Sequence, residues 1–186
     1  PASPSVAGVS WTGVAVGASH SCGLAATGIL YCWGKSERGQ IGDGVFTPST
    51  IRSTPVAVFG DRVWKQVAAR GDSTCAVSMS NQAYCWGSKF KIYSGSADAV
   101  VAPTLVSGSL TWKLVSVGGS HACGVTTAVE IYCWGQNSEG QLGDGTITER
   151  SGPVGLSGAA GTMGWRSVSA GAGHTCAIDN VGKAWC

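Results

Sequence analysis

Three observations predict an all-β fold assembled from repeated four-stranded units. All eight cysteines fall into four pairs ten positions apart: Cys22 with Cys32, Cys75 with Cys85, Cys123 with Cys133 and Cys176 with Cys186. A tryptophan stands eleven residues before the first cysteine of every pair, at Trp11, Trp64, Trp112 and Trp165. Glycine supplies 29 of the 186 residues while charged residues make up only 12%, against ordinary shares of roughly 7% and about 25%. That balance favours strands and turns over helices.

The elements follow in chain order within each unit. A proline with a nearby valine precedes each tryptophan, at Pro4, Pro55, Pro103 and Pro153, so successive units are 51, 48 and 50 residues apart. The expected strands are the proline segment (PSVAGV, PVAVF, PTLVS, PVGLS), the tryptophan segment (WTGVAVG, WKQVAAR, WKLVSVG, WRSVSAG) and two arms carrying the cysteines. Cut with the proline strand first, the units run from about 4–54, 55–102, 103–152 and 153–186. Four short strands per repeat of about fifty residues describe a propeller blade.

The cysteine segments read as hairpins. With Cys22 facing Cys32, Leu24 faces Leu30, and Ala26, Thr27 and Gly28 form a three-residue loop whose last position needs positive φ. The equivalent residues are Gly28, Asn81, Val129 and Gly182. Three of them tolerate that conformation cheaply, whereas Val129 calls for a different turn in the third hairpin. Side chains alternate across a strand, so the cysteines share an apolar face with Leu24 and Leu30, Val77 and Ala83, Val125 and Ile131, or Ile178 and Ala184. Opposed positions bring cysteines near bonding distance, and closing an eleven-residue loop predicts roughly 2–3 kcal/mol per bridge from loop entropy. Trp33, Trp86 and Trp134 lie on the opposite hairpin face, where they would pack between blades.

Two stretches, CWGKSERGQIGDG (Cys32 to Gly44) and CWGQNSEGQLGDG (Cys133 to Gly145), carry a more specific pattern. Together with the tryptophan and the cysteine hairpin, the chain resembles the regulator of chromosome condensation repeat family over nearly its whole length. The second unit reads CWGSKFKIYSGSADAV and lacks the Gly-Gln-x-Gly-Asp-Gly run, and the fourth ends at Cys186, where the earlier copies continue with Trp-Gly. The resemblance implies a β-propeller of four-stranded blades, usually seven. Four units here are expected to be part of a larger propeller, the chain being a piece of a longer protein. The founder of the family is a nuclear exchange factor without this cysteine pattern, and its activity is not carried over. Secreted members that act by binding proteins, including a bacterial inhibitor of β-lactamases, place binding ahead of exchange.

Composition and motif chemistry exclude several functions. A formal charge of +2 from scattered basic residues offers no stripe for nucleic acid or anionic lipid, and no apolar run reaches the roughly 18 residues of a membrane span. PASPSVAG has neither the charged nor the apolar region of a signal peptide, so a secreted form would have lost its signal ahead of residue 1. His20, His121 and His174 stand two residues before a cysteine, a pairing that invites zinc, but each unit supplies too few ligands and the second has Ser73 instead. The resemblance implies instead that each imidazole hydrogen-bonds backbone at the top of its blade. Asp43 and Asp144 in the Gly-Asp-Gly segments suggest calcium, yet Glu37 and Glu139 are distant and one carboxylate per loop falls short. These aspartates are expected to fix a turn. Gly39, Gln40, Gly140 and Gln141 are expected as structural repeat positions, not as a phosphate loop. No elbow, zinc-protease helix or carboxylate pair marks an enzyme, and a Cys–His pair repeated blade after blade reads as scaffold. No cofactor or metal is expected.

Paired cysteines in every unit suit an oxidising compartment. The expectation is a non-enzymatic extracellular or cell-surface module that binds a protein partner, or assembles with itself, through the variable stretches 45–54, 88–102 and 146–152. A carbohydrate-binding propeller is the alternative, weakened because Phe46, Phe90 and Tyr93 are not at equivalent places. An intracellular scaffold related to exchange factors is the second alternative.

Overall fold

Each tryptophan segment opens an antiparallel sheet. A computed structural model describes residues 8–45, 51–88, 99–158 and 164–186. The first blade is β1 (Trp11–Val16), β2 (His20–Ala25), β3 (Leu30–Lys35) and β4 (Ile51–Ala57). The second is β5 (Trp64–Arg70), β6 (Ser73–Ser78), β7 (Ala83–Ser88) and β8 (Ala99–Leu105), and the third β9 (Trp112–Val117), β10 (His121–Thr126), β11 (Ile131–Gly135) and β12 (Arg150–Gly155). The fourth shows three strands among the described residues, β13 (Trp165–Ala170), β14 (Thr175–Asp179) and β15 (Ala184–Trp185). Within every sheet the strands lie in chain order. No helix among the described residues is long and apolar enough to cross a membrane.

The sheets correct the phase read from sequence. Each proline-bearing strand pairs with the second cysteine arm before it, as β4 does with β3, β8 with β7 and β12 with β11. It therefore closes a blade instead of opening the next, and the blades run 11–57, 64–105, 112–155 and 165–185. A repeat period has no intrinsic phase; the preference of sequential strands to lie side by side sets it. Most of the segment around Pro4, residues 1–7, lies outside the described residues.

The hairpin register is the one the cysteines predict. Cys22 faces Cys32 and Leu24 faces Leu30, with the same pairing in the second and third hairpins and Ile178 opposite Ala184 in the fourth. All four cysteine pairs are disulfides, their Cα atoms 4.0–4.1 Å apart. The three-residue turn is also uniform, and here Val129 departs from expectation. It adopts φ 60°, beside Gly28 at 81°, Asn81 at 63° and Gly182 at 90°, a costly region for a β-branched residue. Two bonds hold it there: Val129 N donates to Thr126 O at 3.0 Å, and Val129 O accepts from Trp165 N at 2.7 Å. The second bond recurs between blades, Gly28 O taking Trp64 N and Asn81 O taking Trp112 N.

Every tryptophan strand carries a bulge at the same place, after Trp11, Trp64, Trp112 and Trp165. An extra residue re-aims its neighbour, and the rings of Trp11 and Trp112 lie flat over Gly23 and Gly124, where a Cβ would come within 2.6 Å of them. The core sits at the seams between blades. Trp64 and Trp86 pack with Leu24, Leu30 and Ile41 at the first seam, Trp112 and Trp134 with Val77 and Val117 at the second, and Trp165 with Val125, Ile131 and Leu142 at the third. Burying one such ring stabilises by roughly 2–3 kcal/mol. The two outer faces are uncovered: Trp11, Val14 and Val16 on β1, and Ile178 on β14, are exposed. The apolar layer expected around the fourth disulfide is therefore open, and Trp33 is half-buried.

Candidate functional site

The predicted site residues converge on the first and third seams. His20 in β2 reaches across the first seam, its Nε2 2.8 Å from Thr74 Oγ1. Thr74 spends its own proton on Gln40 O, at 2.9 Å, so its oxygen must accept from His20 Nε2–H. The third seam repeats the relay: His121 Nε2 lies 2.8 Å from Thr175 Oγ1, which donates to Gln141 O at 2.8 Å. Expected contact of imidazole with backbone is thus relayed by a hydroxyl from the next blade. The reason is sequence alternation: blades two and four carry threonine directly before the first cysteine, at the seam-facing position.

Both imidazoles are neutral in this arrangement. His20 and His121 are buried, and their Nδ1 atoms have no hydrogen-bond partner among the described residues. Burial lowers the His20 pKa to about 4, with Asp72 opposing it. Burial, with smaller contributions from His174 and Arg70, lowers that of His121 to about 4 as well. His174 is exposed. All eight cysteines are in disulfides, so no thiolate stands beside an imidazole as nucleophile or ligand.

The loops above the seams are built from Gly39 to Gly44 and Gly140 to Gly145. Gln40 Oε1 folds back onto Arg38 N and Gln141 Oε1 onto Glu139 N. Asp43 Oδ1 accepts from Val45 N, and Asp144 Oδ1 from Thr146 N, the Asx turns expected of them. Each aspartate also holds an arginine, Arg52 Nε at 2.7 Å from Asp43 Oδ2 and Arg150 Nε at 2.8 Å from Asp144 Oδ2. Burial raises the Asp144 pKa, but bonds from the Thr146 side chain, Arg150, the Thr146 backbone and Asn137 outweigh it and leave it at about 2. A filled set of protein donors makes these carboxylates structural anchors. Of the 45–54 and 88–102 loops, residues 46–50 and 89–98 lie outside the described residues, with Phe46, Phe90 and Tyr93. The 146–152 loop is described and exposes Ile147.

Arg52, Arg150 and Asn137 escaped the sequence reading. A signal existed for the arginines: each stands three residues before its proline, Pro55 or Pro153, while the second unit, which lacks the aspartate loop, has Val100 there. Seam two differs accordingly. Gln66 supplies both hydrogen bonds to Val115 backbone, at 3.0 and 3.1 Å. Trp134 Nε1, buried, has no acceptor among the described residues, whereas its counterpart Trp86 donates to Gln40 O at 3.0 Å.

This geometry is shared with known proteins. Family models described as the regulator of chromosome condensation (RCC1) repeat match residues 27–77 and 130–178, and a second such model matches 11–40 and 112–141. The chain is 30% identical over 95 residues to the human E3 ubiquitin-protein ligase HERC2, covering half of this chain and 2% of that protein. Prp20p from Saccharomyces cerevisiae, whose structure was described with its binding to Gsp1p and histones, superposes with a TM-score of 0.80 at 20% identity, over 90% of this chain and 43% of its own. The ectodomain of the Physcomitrella patens receptor kinase CR4 superposes at 0.57 and 20% identity, over 97% of this chain and 42% of its own. The chain thus spans less than half of each of these proteins. With its repeats matched over more than half its length, the chain belongs to the regulator of chromosome condensation (RCC1) repeat family.

Proposed function

We propose that the chain is a non-enzymatic protein-interaction module of the extracellular space or cell surface, a disulfide-stapled propeller scaffold that binds a protein partner. The observation that carries this reading is the 146–152 stretch leading into β12, one of the variable loops of the repeat, which presents Ile147 74% exposed. Variable loops on a rigid scaffold are where binding residues concentrate. Closed disulfides in all four hairpins support an oxidising compartment, and the CR4 ectodomain supports the use of this fold outside a cell. The family members matched here also include proteins named for intracellular work, so the location rests on the cysteines.

The test is retention of secreted proteins on the immobilised, unreduced chain, run beside a glycan array. A polypeptide retained by the native chain and lost with Ile147→Asp is the expected result. Binding to glycans with no polypeptide retained would replace this reading with the lectin alternative.

A further inference from the structure

We propose that the connection between the first and second blades, residues 58–63, is a docking surface for an acidic side chain carried in an apolar polypeptide segment. Two connections share one backbone course: VFGDRV (58–63) leads from β4 to β5, and VSGSLT (106–111) from β8 to β9. Gly60 and Gly108 make the same turn, at φ 93° and 95°. Val58 N and Val106 N donate to Leu30 O and Ala83 O, and Trp64 N and Trp112 N to Gly28 O and Asn81 O. The two differ only in their side chains. In the second, Leu110 and Tyr132 pack against one seam core, Ser107 and Ser109 are exposed, and the hydroxyls of Thr111 and Thr127 bond each other at 2.5 Å.

The first connection inverts that polarity. Arg62 takes the place of Leu110 and lies over the Tyr84 ring, 4.5 Å from its centroid. Phe59 and Val63 are 58% and 52% exposed where the other loop has Ser107 and Thr111. Met79, whose N donates to Val63 O, is 62% exposed in the place of Thr127. Turning three apolar side chains outward forgoes burial that would stabilise the scaffold, and such a cluster marks a surface that a partner covers. The connection lies between two four-stranded blades, so this is not the face of an uncovered outer blade.

Arg62 names the chemistry of that partner. Its guanidinium sits between the Tyr84 ring and Gly60, where a Cβ would come within 2.5 Å of a terminal nitrogen. Among the described residues it has no hydrogen bond and no ion pair, the adjacent Asp61 included. Lys65 beside it gives one of three donors to Asn81 Oδ1. A planar fork of five N–H groups, held in place and unfilled, is set to bind a carboxylate through two parallel bonds. Phe59 and Val63 flank it in the loop, so apolar contact is offered on both sides. That fits an Asp or Glu in the middle of a segment, between large apolar residues.

That the occupant is a polypeptide rests on the scaffold reading above, which Ile147→Asp tests at a separate loop. The experiment pans a phage-displayed library of random peptides on the unreduced chain and titrates the enriched peptides, fluorescein-labelled, by anisotropy. A control chain carries Phe59→Ser, Asp61→Ser, Arg62→Leu, Val63→Thr and Met79→Thr, the residues of the next connection and turn, which the same backbone course already accommodates. Enriched peptides are expected to place Asp or Glu between large apolar residues and to bind the native and Ile147→Asp chains alike. Their affinity for the control chain is expected to fall about tenfold or more, and Arg62→Leu alone, or Asn or Gln in place of the peptide's acid, to cause most of that loss. No enriched peptide, peptides without a carboxylate, or an affinity unchanged in the control chain would overturn the proposal. Self-association of the native chain that the control substitutions abolish would overturn it too, making a second copy the occupant. Binding lost with Ile147→Asp and kept by the control chain would overturn it while leaving the scaffold reading in place.

Discussion

His20 in the first blade donates through Nε2 to Thr74 in the second, and Thr74 passes its own proton back to Gln40 O of the first. The bond therefore ties one blade to its neighbour through a hydroxyl whose only proton is already committed. Replacing Thr74 by Val keeps the shape and leaves the imidazole N–H unsatisfied in a buried site. Thr74→Val is expected to cost about 1–3 kcal/mol, read as a lower urea midpoint with unchanged slope. Thr175→Val is expected to cost less, because the third seam opens onto a cleft.

Acid should loosen the same seams. Both buried histidines have folded pKa values of about 4 against 6.5 in the unfolded chain. The unfolded state therefore binds more protons between those values, and stability present above pH 6.5 is lost as pH falls toward 4. By pH 4 the loss is about 3 kcal/mol per histidine. Denaturant titrations at pH 7.5 and 4.5 measure it, and a His20→Gln/His121→Gln chain should show a flatter pH profile.

Val129 at φ 60° is the one β-branched residue in the four equivalent turn positions. Asn81 holds that conformation in the second hairpin at lower cost. Val129→Asn is expected to raise stability by about 1 kcal/mol, seen as a higher melting temperature. A loss of stability would show that the valine side chain contributes packing that outweighs its backbone strain.

Asn137 organises the third loop. Its Nδ2 donates to Asp144 Oδ1, Thr146 O and Thr148 O, and its Oδ1 accepts from Leu142 N. The first blade has Ser36 there, buried and with no hydroxyl partner among the described residues. Asn137→Ser is expected to cost about 1–3 kcal/mol and to speed amide exchange at Leu142.

The period of fifty residues was legible because disulfide hairpins and seam tryptophans tolerate little variation in spacing. What was not legible is a second period of 101 residues. Gly23 and the aspartate loop recur only at Gly124 and the third loop, while Thr74 and Ala76 recur at Thr175 and Ala177; the histidine recurs at His121 and also at His174. At the first and third seams the leading blade supplies the histidine and the loop carbonyl, and the following blade supplies the threonine between them. That partnership is invisible within any single repeat, since its halves are 54 residues apart and meet only across a seam. Blade phase was hidden for a related reason: the proline strand is one turn from the next tryptophan in sequence but hydrogen-bonded to the previous arm in space.

The stapled hairpin is the premise on which both fold stability and location rest. It is tested most directly by the mass of the unreduced chain after thiol alkylation in denaturant. An unlabelled chain, yielding peptides linked as Cys22–Cys32, Cys75–Cys85, Cys123–Cys133 and Cys176–Cys186, is the predicted result. Eight labelled thiols in freshly isolated protein would contradict it and return the chain to an intracellular setting.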